Sequence, residues 1–273
     1  MTCEEKLMEC ARSGTALLAT NFYNFETLKG LLLAAQKTKS NLILQTSEGT
    51  LHYLGVKPAV AMARAMLGDF GVTGWLHFDH GSSIRLVQEC LDAGFDSIMI
   101  DASEKPLEEN IKITKEVVRM AEPYHANVEA ELGYIAKLGQ KQSIEPTRAE
   151  DAKRFVDETG INALAAAIGN AHGFYKETPH LRFDRLKEIR ESVSCALVLH
   201  GSSGIPDDQI REAIRLGISK INLATETKNA FMKKLQTVLR DNDEIDLRKV
   251  FPLATEAVVE LITKKLEIVN SVN

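Results

Sequence analysis

Three histidines of this 273-residue chain each follow a short apolar run. They are His80, His172 and His200; each is followed at once by glycine, and Asp79 stands directly before the first. The apolar runs predict buried strands, so imidazoles at the ends of three strands can converge on one point. Three protein ligands with one open position are typical of a catalytic zinc ion. We therefore predict that these histidines bind one Zn²⁺ per subunit.

The carboxylate of Asp79 has two interpretations. It could orient a metal-bound imidazole, or it could act as a general acid and base beside the metal. Because Asp79 ends a predicted strand one residue before His80, its side chain can point into the same pocket. We favour the second interpretation and predict that Asp79 is catalytic.

Strand-like and helix-like segments alternate along the whole chain. The predicted strands cover residues 15–21, 41–46, 74–79, 97–101, 126–132, 163–168, 196–201 and 220–225. The predicted helices cover 25–38, 56–68, 83–93, 107–121, 148–159, 182–192, 207–216 and 227–240, with one extra helix over 252–269.

This alternation predicts an α/β fold, a single (β/α)₈ TIM barrel domain over residues 1–273 with an extra C-terminal helix. A doubly wound sheet usually has fewer strands and a glycine fingerprint after its first strand, and none follows Asn21. In a barrel the carboxyl ends of the strands form the catalytic face. The three histidines and Asp79 then meet at one rim. His77 shares a strand face with Asp79, and either a supporting role or core packing fits it.

The two loops after the last two predicted strands are suited to bind an anion. Residues 201–204 form a Gly-Ser loop after strand 7, and residues 222–225 lead from strand 8 into a helix. Backbone N–H groups at such helix starts bind anions, and TIM barrels often bind phosphate at these two loops. With Gly173 and Lys176 nearby, we predict a phosphorylated substrate, with Ser202 and Ala224 among its contacts.

Glu129 and Glu131 share one face of predicted strand 5. Buried acids need a partner or a function, and the metal, its histidines or an internal salt bridge could each provide it. We predict that Glu131, together with Ser47, supports the metal site. The polar segment 134–147 that follows is typical of a mobile lid.

The composition excludes several classes of partner. The chain is 44% hydrophobic and 26% charged, with a net charge of −5 and with acidic and basic residues interspersed. This distribution argues against binding to nucleic acid or to an anionic membrane. No apolar run approaches ~18 residues and no leader-like segment opens the chain, so we expect a cytoplasmic protein. The four scattered cysteines are expected to be reduced thiols.

Motifs over nearly the whole chain resemble those of the class II, zinc-dependent fructose- or tagatose-bisphosphate aldolase family. They are Asn24-x-Glu26-Thr27-Leu28, Gln45-Thr46-Ser47-Glu48-Gly49, His77-Phe78-Asp79-His80-Gly81, Glu129-Ala130-Glu131-Leu132-Gly133, Ala171-His172-Gly173-Phe174-Tyr175-Lys176, His200-Gly201-Ser202-Ser203-Gly204-Ile205-Pro206 and Lys220-Ile221-Asn222-Leu223-Ala224-Thr225-Glu226.

The resemblance implies zinc at the three histidines and acid/base work by Asp79. It also implies a homodimer or homotetramer, and it allows a monovalent cation. A dihydroxyacetone phosphate moiety would be held by Gly173, Gly201, Ser203, Asn222 and Thr225. Alanine at position 224 resembles the pattern of the tagatose branch more than that of the fructose branch, which usually has an acidic residue at this position.

Three departures from the family pattern concern the substrate. Ser202 stands where a second glycine is usual, so its side chain could add a hydroxyl or reduce the room near the anion. The lid is shorter than usual. Thr255 stands where many relatives have an arginine that grips the distal phosphate. We expect either a distal group other than phosphate, or binding by Lys105 or Arg248.

The expected reaction is reversible retro-aldol cleavage of a ketose 1-phosphate to dihydroxyacetone phosphate and an aldehyde. Zinc would polarise the C2 carbonyl, and Asp79 would remove the C4 hydroxyl proton. Three alternatives stay open: a distal sulfonate, a metal-dependent sugar-phosphate isomerase or epimerase, and a non-catalytic aldolase subunit. A Schiff-base mechanism needs a lysine inside the barrel, and Lys220 is predicted at the wrong end of strand 8.

Overall fold

The computed structural model describes residues 1–135, 146–240 and 242–271. Eight parallel strands close into a barrel in which each strand pairs with the next and β8 pairs with β1, which confirms the predicted fold. The strands are β1 Leu17–Asn21, β2 Leu42–Ser47, β3 Gly74–Gly81, β4 Ser97–Ile100, β5 Asn127–Leu132, β6 Ala163–Ala166, β7 Ala196–Leu199 and β8 Ile218–Leu223.

Helices surround the barrel. They are α1 Cys3–Ser13, α2 Phe25–Thr38, α3 Glu48–Leu54, α4 Val56–Phe70, α5 Ile84–Ala93, α6 Leu107–Ala121, α7 Ala149–Thr159, α8 Phe183–Ser192, α9 Asp207–Arg215, α10 Thr225–Leu239 and α11 Leu247–Val269, with a 3₁₀ turn at Glu122–Tyr124. None of the helices in the described part of the chain is long and apolar enough to span a membrane.

Two helices were not predicted, and a third begins well before its predicted start. Helix α1 begins after Thr2, whose side chain forms a reciprocal capping box with Glu5, and it packs against β7 and β8 at the amino end of the barrel. Helix α3 is a short helix of seven residues directly after β2. Helix α11 begins five residues before the predicted start and carries Pro252 inside it, although proline favours the first helical position.

The barrel interior has an apolar lower layer and a polar upper layer. Inward residues alternate along each strand, so every second side chain reaches the interior. The lower layer joins residues from α1 and five strands: Cys3, Leu7, Cys10, Leu17, Ala19, Ile43, Trp75, Ala163, Ala165, Ala196 and Val198. This packed floor supports the polar groups above it.

Lys220 lies inside the barrel, which corrects the prediction that it begins strand 8 at the wrong end. Strand β8 begins at Ile218, so Lys220 is its third residue and points inward with 1% of its surface exposed. Its Nζ lies 2.6 Å from Glu129 Oε2 and 3.3 Å from His77 Nε2. The residue is ion-paired and does not line the cavity described below.

Burial and the charge of Lys220 are the two largest influences on the pKa values of its neighbours. Burial raises the pKa of Glu129, but the charge of Lys220 and the contacts with His77 and His200 together outweigh it and hold that pKa far below its usual range. Burial, followed by the charge of Lys220, lowers the pKa of His77 to about 3. His77 is therefore a neutral core histidine, and its Nδ1 lies 2.7 Å from Ser97 Oγ.

Candidate active site

A β-bulge at the end of β3 brings two adjacent side chains to the same cavity. Phe78 pairs with Ile98 of β4, but the next pair joins Gly81 to Ile100, so β3 has one extra residue there. His80 sits in the left-handed region at φ 52°. Neighbouring strand residues normally point to opposite faces. The bulge removes that alternation, and both Asp79 and His80 line the cavity.

The three predicted metal ligands converge at the carboxyl end of the barrel. The ring centroid of His80 lies 4.8 Å from that of His172 and 4.7 Å from that of His200. Glu131 joins them, and one ligand atom from each of the four residues lies within 4.8 Å of all the others. Glu131, predicted as a supporting residue, therefore lies close enough to be a fourth ligand.

Each histidine has one ring nitrogen held by an oxygen, which leaves the opposite nitrogen for a metal. This arrangement orients metal-bound imidazoles. The pairs are His80 Nδ1 with Asp101 Oδ2 at 2.8 Å, His172 Nδ1 with the Ile135 carbonyl at 3.1 Å, and His200 Nε2 with Glu129 Oε1 at 2.9 Å.

Two polar atoms in the cluster are buried without a hydrogen-bond partner among the described residues. They are His200 Nδ1 and Glu131 Oε2, which face each other at 3.4 Å. A buried unsatisfied polar atom costs about 1–3 kcal/mol. A cation bound among the histidines would satisfy both atoms. The donor set of imidazole nitrogens and a carboxylate suits zinc, so the residues present fit the predicted metal.

Asp79 is poised as an ionised acceptor. It is 6% exposed and accepts hydrogen bonds from Asn21 Nδ2 at 3.3 Å and Asn222 Nδ2 at 3.2 Å. Burial raises the pKa of Asp79, but the nearby charges of His80, then of His200, His77 and Lys220, together outweigh this effect and the net pKa lies below its usual value. The carboxylate can therefore accept a proton at neutral pH.

A cavity of about 740 Å³ opens above these groups. Ten of the predicted site residues line it: Ser47, Asp79, His80, His172, Gly173, Gly201, Ser203, Asn222, Ala224 and Thr225. His200 and Glu131 lie beneath its floor, at 0% and 1% exposure. One cavity thus contacts both the histidine cluster and the loops predicted to hold phosphate.

Those loops, which we call the anion loops, comprise residues 173, 201–204 and 222–225. Gly201 has φ 62°, and a Cβ there would collide with the backbone of Ala171, so only glycine fits. The Tyr175 hydroxyl accepts from the Ala171 N–H at 2.7 Å and donates to the Gly201 carbonyl at 3.0 Å. Helix α10 begins at Thr225 and directs its amino end at the same space.

Two predicted phosphate contacts lie outside the cavity lining. The Ser202 hydroxyl donates to the Asn222 carbonyl at 2.5 Å and is buried, so it ties the two loops together instead of adding a hydroxyl near the anion. Lys176 is exposed and does not line the cavity. Its role as a phosphate ligand stays a prediction.

The residues suggested for the distal group are spread apart. Lys105 lines the cavity, whereas Arg248 pairs with Asp246 at 3.0 Å and does not line it. The Thr255 hydroxyl donates to the Glu26 carbonyl between α11 and α2 at 3.3 Å. Most of the predicted lid, residues 136–145, lies outside the described residues.

Sequence reasoning missed several residues of the site. Asp101 and Asn21 each end a predicted strand, so the argument that strand ends meet at one rim could have found them. Tyr175 stands inside a quoted motif, but only the fold shows that its hydroxyl joins two loops. Lys228 lines the cavity from the first turn of α10, and no motif pointed to it.

Comparison with known proteins identifies the family of the chain. Residues 1–273 match the model of the family described as fructose-bisphosphate aldolase class-II. A fructose-bisphosphate aldolase from Geobacillus stearothermophilus is 38% identical over 278 residues, covering 97% of this chain and 95% of that protein.

Two solved structures share the fold at nearly full length. The YdjI aldolase from Escherichia coli K12 superposes with a TM-score of 0.87 at 33% identity, covering 99% of this chain and 97% of that one. A putative fructose-1,6-bisphosphate aldolase from Coccidioides immitis gives 0.91 at 26% identity, covering 99% and 96%. The chain therefore belongs to the class-II fructose-bisphosphate aldolase family and is a metal-dependent, aldol-cleaving lyase.

Proposed function

We propose that this enzyme reversibly cleaves a ketose 1-phosphate of the tagatose- or fructose-1,6-bisphosphate type to dihydroxyacetone phosphate and an aldehyde, with Zn²⁺ as its metal. One observation carries the proposal. The Asp79 carboxylate, the histidine cluster and the anion loops all border one cavity of about 740 Å³. An isomerase would need the same metal and the same phosphate-binding loops, but it would release no triose.

The anion loops account for the position of the substrate. The phosphate on C1 would accept hydrogen bonds from backbone N–H groups around Gly201 and Thr225, and the amino end of α10 favours its negative charge. Asn21 and Asn222 each keep a buried Oδ1 without a hydrogen-bond partner among the described residues. These two oxygens can accept hydrogen bonds from substrate hydroxyls.

Asp79 accounts for the proton transfer at C4. During cleavage its carboxylate takes the proton of the C4 hydroxyl, C4 becomes an aldehyde carbon, and the electron pair of the C3–C4 bond stays on the C1–C3 fragment. That fragment becomes dihydroxyacetone phosphate when C3 takes up a proton from solvent. In condensation Asp79 returns the proton. A bound divalent metal supplies a Lewis acid for the C2 carbonyl. His80, His172, His200 and Glu131 would hold it.

Bound substrate would also be protected from water by the depth of the site. His200 and Glu131 are buried beneath the cavity, and the apolar layer closes the barrel below them. Charges in such a site interact more strongly than in water. The amide groups of Asn21 and Asn222 hold the Asp79 carboxylate at this depth by two hydrogen bonds.

The test couples triose phosphate release to a dehydrogenase, with fructose 1,6-bisphosphate and tagatose 1,6-bisphosphate as substrates. We expect release from at least one of them, loss of activity after chelation with EDTA, and recovery when Zn²⁺ is added. Borohydride with substrate should leave the enzyme active, because Lys220 is ion-paired below the cavity. Activity that survives EDTA, or sugar interconversion without triose release, would contradict the proposal.

We also propose that the enzyme is a cytoplasmic homodimer or homotetramer. Large apolar side chains are exposed on α10 and α11, among them Met232 at 47%, Leu239 at 47% and Leu247 at 60%. Burial of such residues is a common source of association free energy. Light scattering coupled to size-exclusion chromatography should give a mass of two or four chains, and a monomer at micromolar concentration would refute this part.

A further inference from the structure

Lys265 of the C-terminal helix α11 joins the first turns of two other helices. Its Nζ lies 3.2 Å from Glu226 Oε2 and 3.9 Å from Asp207 Oδ1. Asp207 is the first residue of α9 and Glu226 is the second residue of α10. Helix α9 follows the anion loop after β7, and α10 follows the anion loop after β8. One lysine therefore links the two helices that begin after these loops.

Glu226 carries this link into the loop of residues 201–204. Its Oε1 accepts a hydrogen bond from the Gly204 N–H at 2.7 Å, and its own N–H donates to Ser203 Oγ at 3.3 Å. Ser203 lines the cavity. Because its hydroxyl oxygen accepts from Glu226, its hydroxyl proton can be donated to an anion. Glu226 thus fixes both a backbone N–H and a hydroxyl of this loop.

A carboxylate beside a phosphate site needs a compensating cation, because like charges repel. The side chain of Glu226 is only 15% exposed, so solvent screens its charge weakly. Lys265 is the one cation within ion-pair distance of Glu226 in the described part of the chain, and its side chain is 13% exposed. Its ammonium offsets the negative charge and holds the carboxylate against the Gly204 N–H.

The docking of α11 does not depend on this ion pair. Val258, Ile262 and Leu266 on the same helix are completely buried and pack in the apolar core. Lys265 itself does not line the cavity. Its effect on a bound substrate would therefore pass through Glu226.

We propose that Lys265 is a positioning residue for the C1 phosphate of the substrate. By holding Glu226, it keeps the loop of residues 201–204 and the Ser203 hydroxyl in the arrangement that binds the phosphate. The inference rests on the proposed aldolase function and extends its phosphate site to the C-terminal helix. Since Lys265 supports binding and not the proton transfer at Asp79, its loss should raise KM and leave kcat unchanged.

The test measures condensation with dihydroxyacetone phosphate varied and the better of two acceptors, glyceraldehyde or glyceraldehyde 3-phosphate, at saturation. Lys265→Met should raise the KM for dihydroxyacetone phosphate by about 5- to 15-fold, between the effects of an exposed ion pair and of a hydrogen bond to a charged group. We expect kcat within about twofold of the wild type and an unchanged KM for the acceptor. Lys265→Arg keeps the charge and should restore most of the loss. Lys265→Gln should match the methionine variant and replaces it if that variant does not fold.

A second background separates positioning from packing. In a Glu226→Gln enzyme the ammonium has lost its charged partner, so the further change Lys265→Met should not raise the KM for dihydroxyacetone phosphate again. Lys264→Met changes the exposed neighbouring lysine on the same helix and should behave like the wild type.

Four results would overturn the assignment. They are a loss of kcat with unchanged KM, a raised KM for the acceptor instead, an equal effect of Lys265→Met in both backgrounds, and a comparable effect of Lys264→Met. Failure of the proposed function would look different, because the wild type would then form no ketose from dihydroxyacetone phosphate with either acceptor.

Discussion

The ion pair between Lys220 and Glu129 gives a sharp prediction about stability. Both residues are buried, at 1% and 0% exposure, and their charged atoms are 2.6 Å apart. Lys220→Met keeps a similar length but leaves a buried carboxylate without its counter-charge. Breaking a buried pair from one side costs about 3–5 kcal/mol. At roughly 2 °C per kcal/mol for a chain of this size, Tm should fall by about 6–10 °C.

A double-mutant cycle separates this charge effect from packing. The set comprises Lys220→Met, Glu129→Gln and the double variant, with Lys234→Met as a control for loss of an exposed lysine. Tm and urea midpoints would be measured at one protein concentration, because association shifts apparent stability. The double variant should be more stable than the sum of the single changes predicts, by at least about 2 kcal/mol, since it contains no unpaired charge.

Two outcomes would refute this reasoning. A Tm within about 2 °C of the wild type for Lys220→Met would mean that Glu129 is not left as an uncompensated buried charge. Additive effects of the two single changes would mean that the residues do not interact. Lys234→Met should leave Tm unchanged, and a comparable loss there would show that the effect belongs to any lysine of this region.

Two further predictions concern the metal support and the thiols. Asp101→Asn removes the charged partner of His80 Nδ1 and should weaken metal affinity by about 10- to 100-fold in competition with a chromophoric chelator; Asp92→Asn, at an exposed position, is the control, and equal affinity in both would contradict the role of Asp101. Burial raises the pKa of Cys3, Cys90 and Cys195 to about 12, and it also raises that of Cys10. Little thiolate is therefore present at pH 8, so the native protein should react slowly with a thiolate-directed reagent and the denatured protein at all four sites; rapid labelling of the native protein would refute this.

The barrel was predictable because its strands carry a strong local signal. Short apolar runs end at turn residues, and each observed strand begins within two residues of the predicted start. Helix α1 lacks such a signal, since it buries only Cys3, Leu7 and Cys10. Its position at the amino end of the barrel depends on the closed interior, which the local sequence does not specify.

The candidate site was predictable in its residue types but not in its geometry. The rule that strand ends share one rim placed Asp79 with the histidines. The bulge that turns His80 to φ 52° depends on the register between β3 and β4, and sequence spacing does not reveal that register. For the same reason, the inward direction of Lys220 could not be read from its place near the start of β8.

The central claim is that the histidine cluster holds a metal while Asp79 moves the proton at C4. It is tested most directly by measuring metal content and cleavage rate together in the wild type, Asp79→Asn and His172→Ala. We predict one zinc per chain in the wild type, full zinc with a 10²- to 10⁴-fold slower cleavage in Asp79→Asn, the usual range for a lost acid/base group, and loss of both in His172→Ala. An Asp79→Asn enzyme that cleaves at the wild-type rate, or a His172→Ala enzyme that keeps its zinc and its activity, would contradict the account.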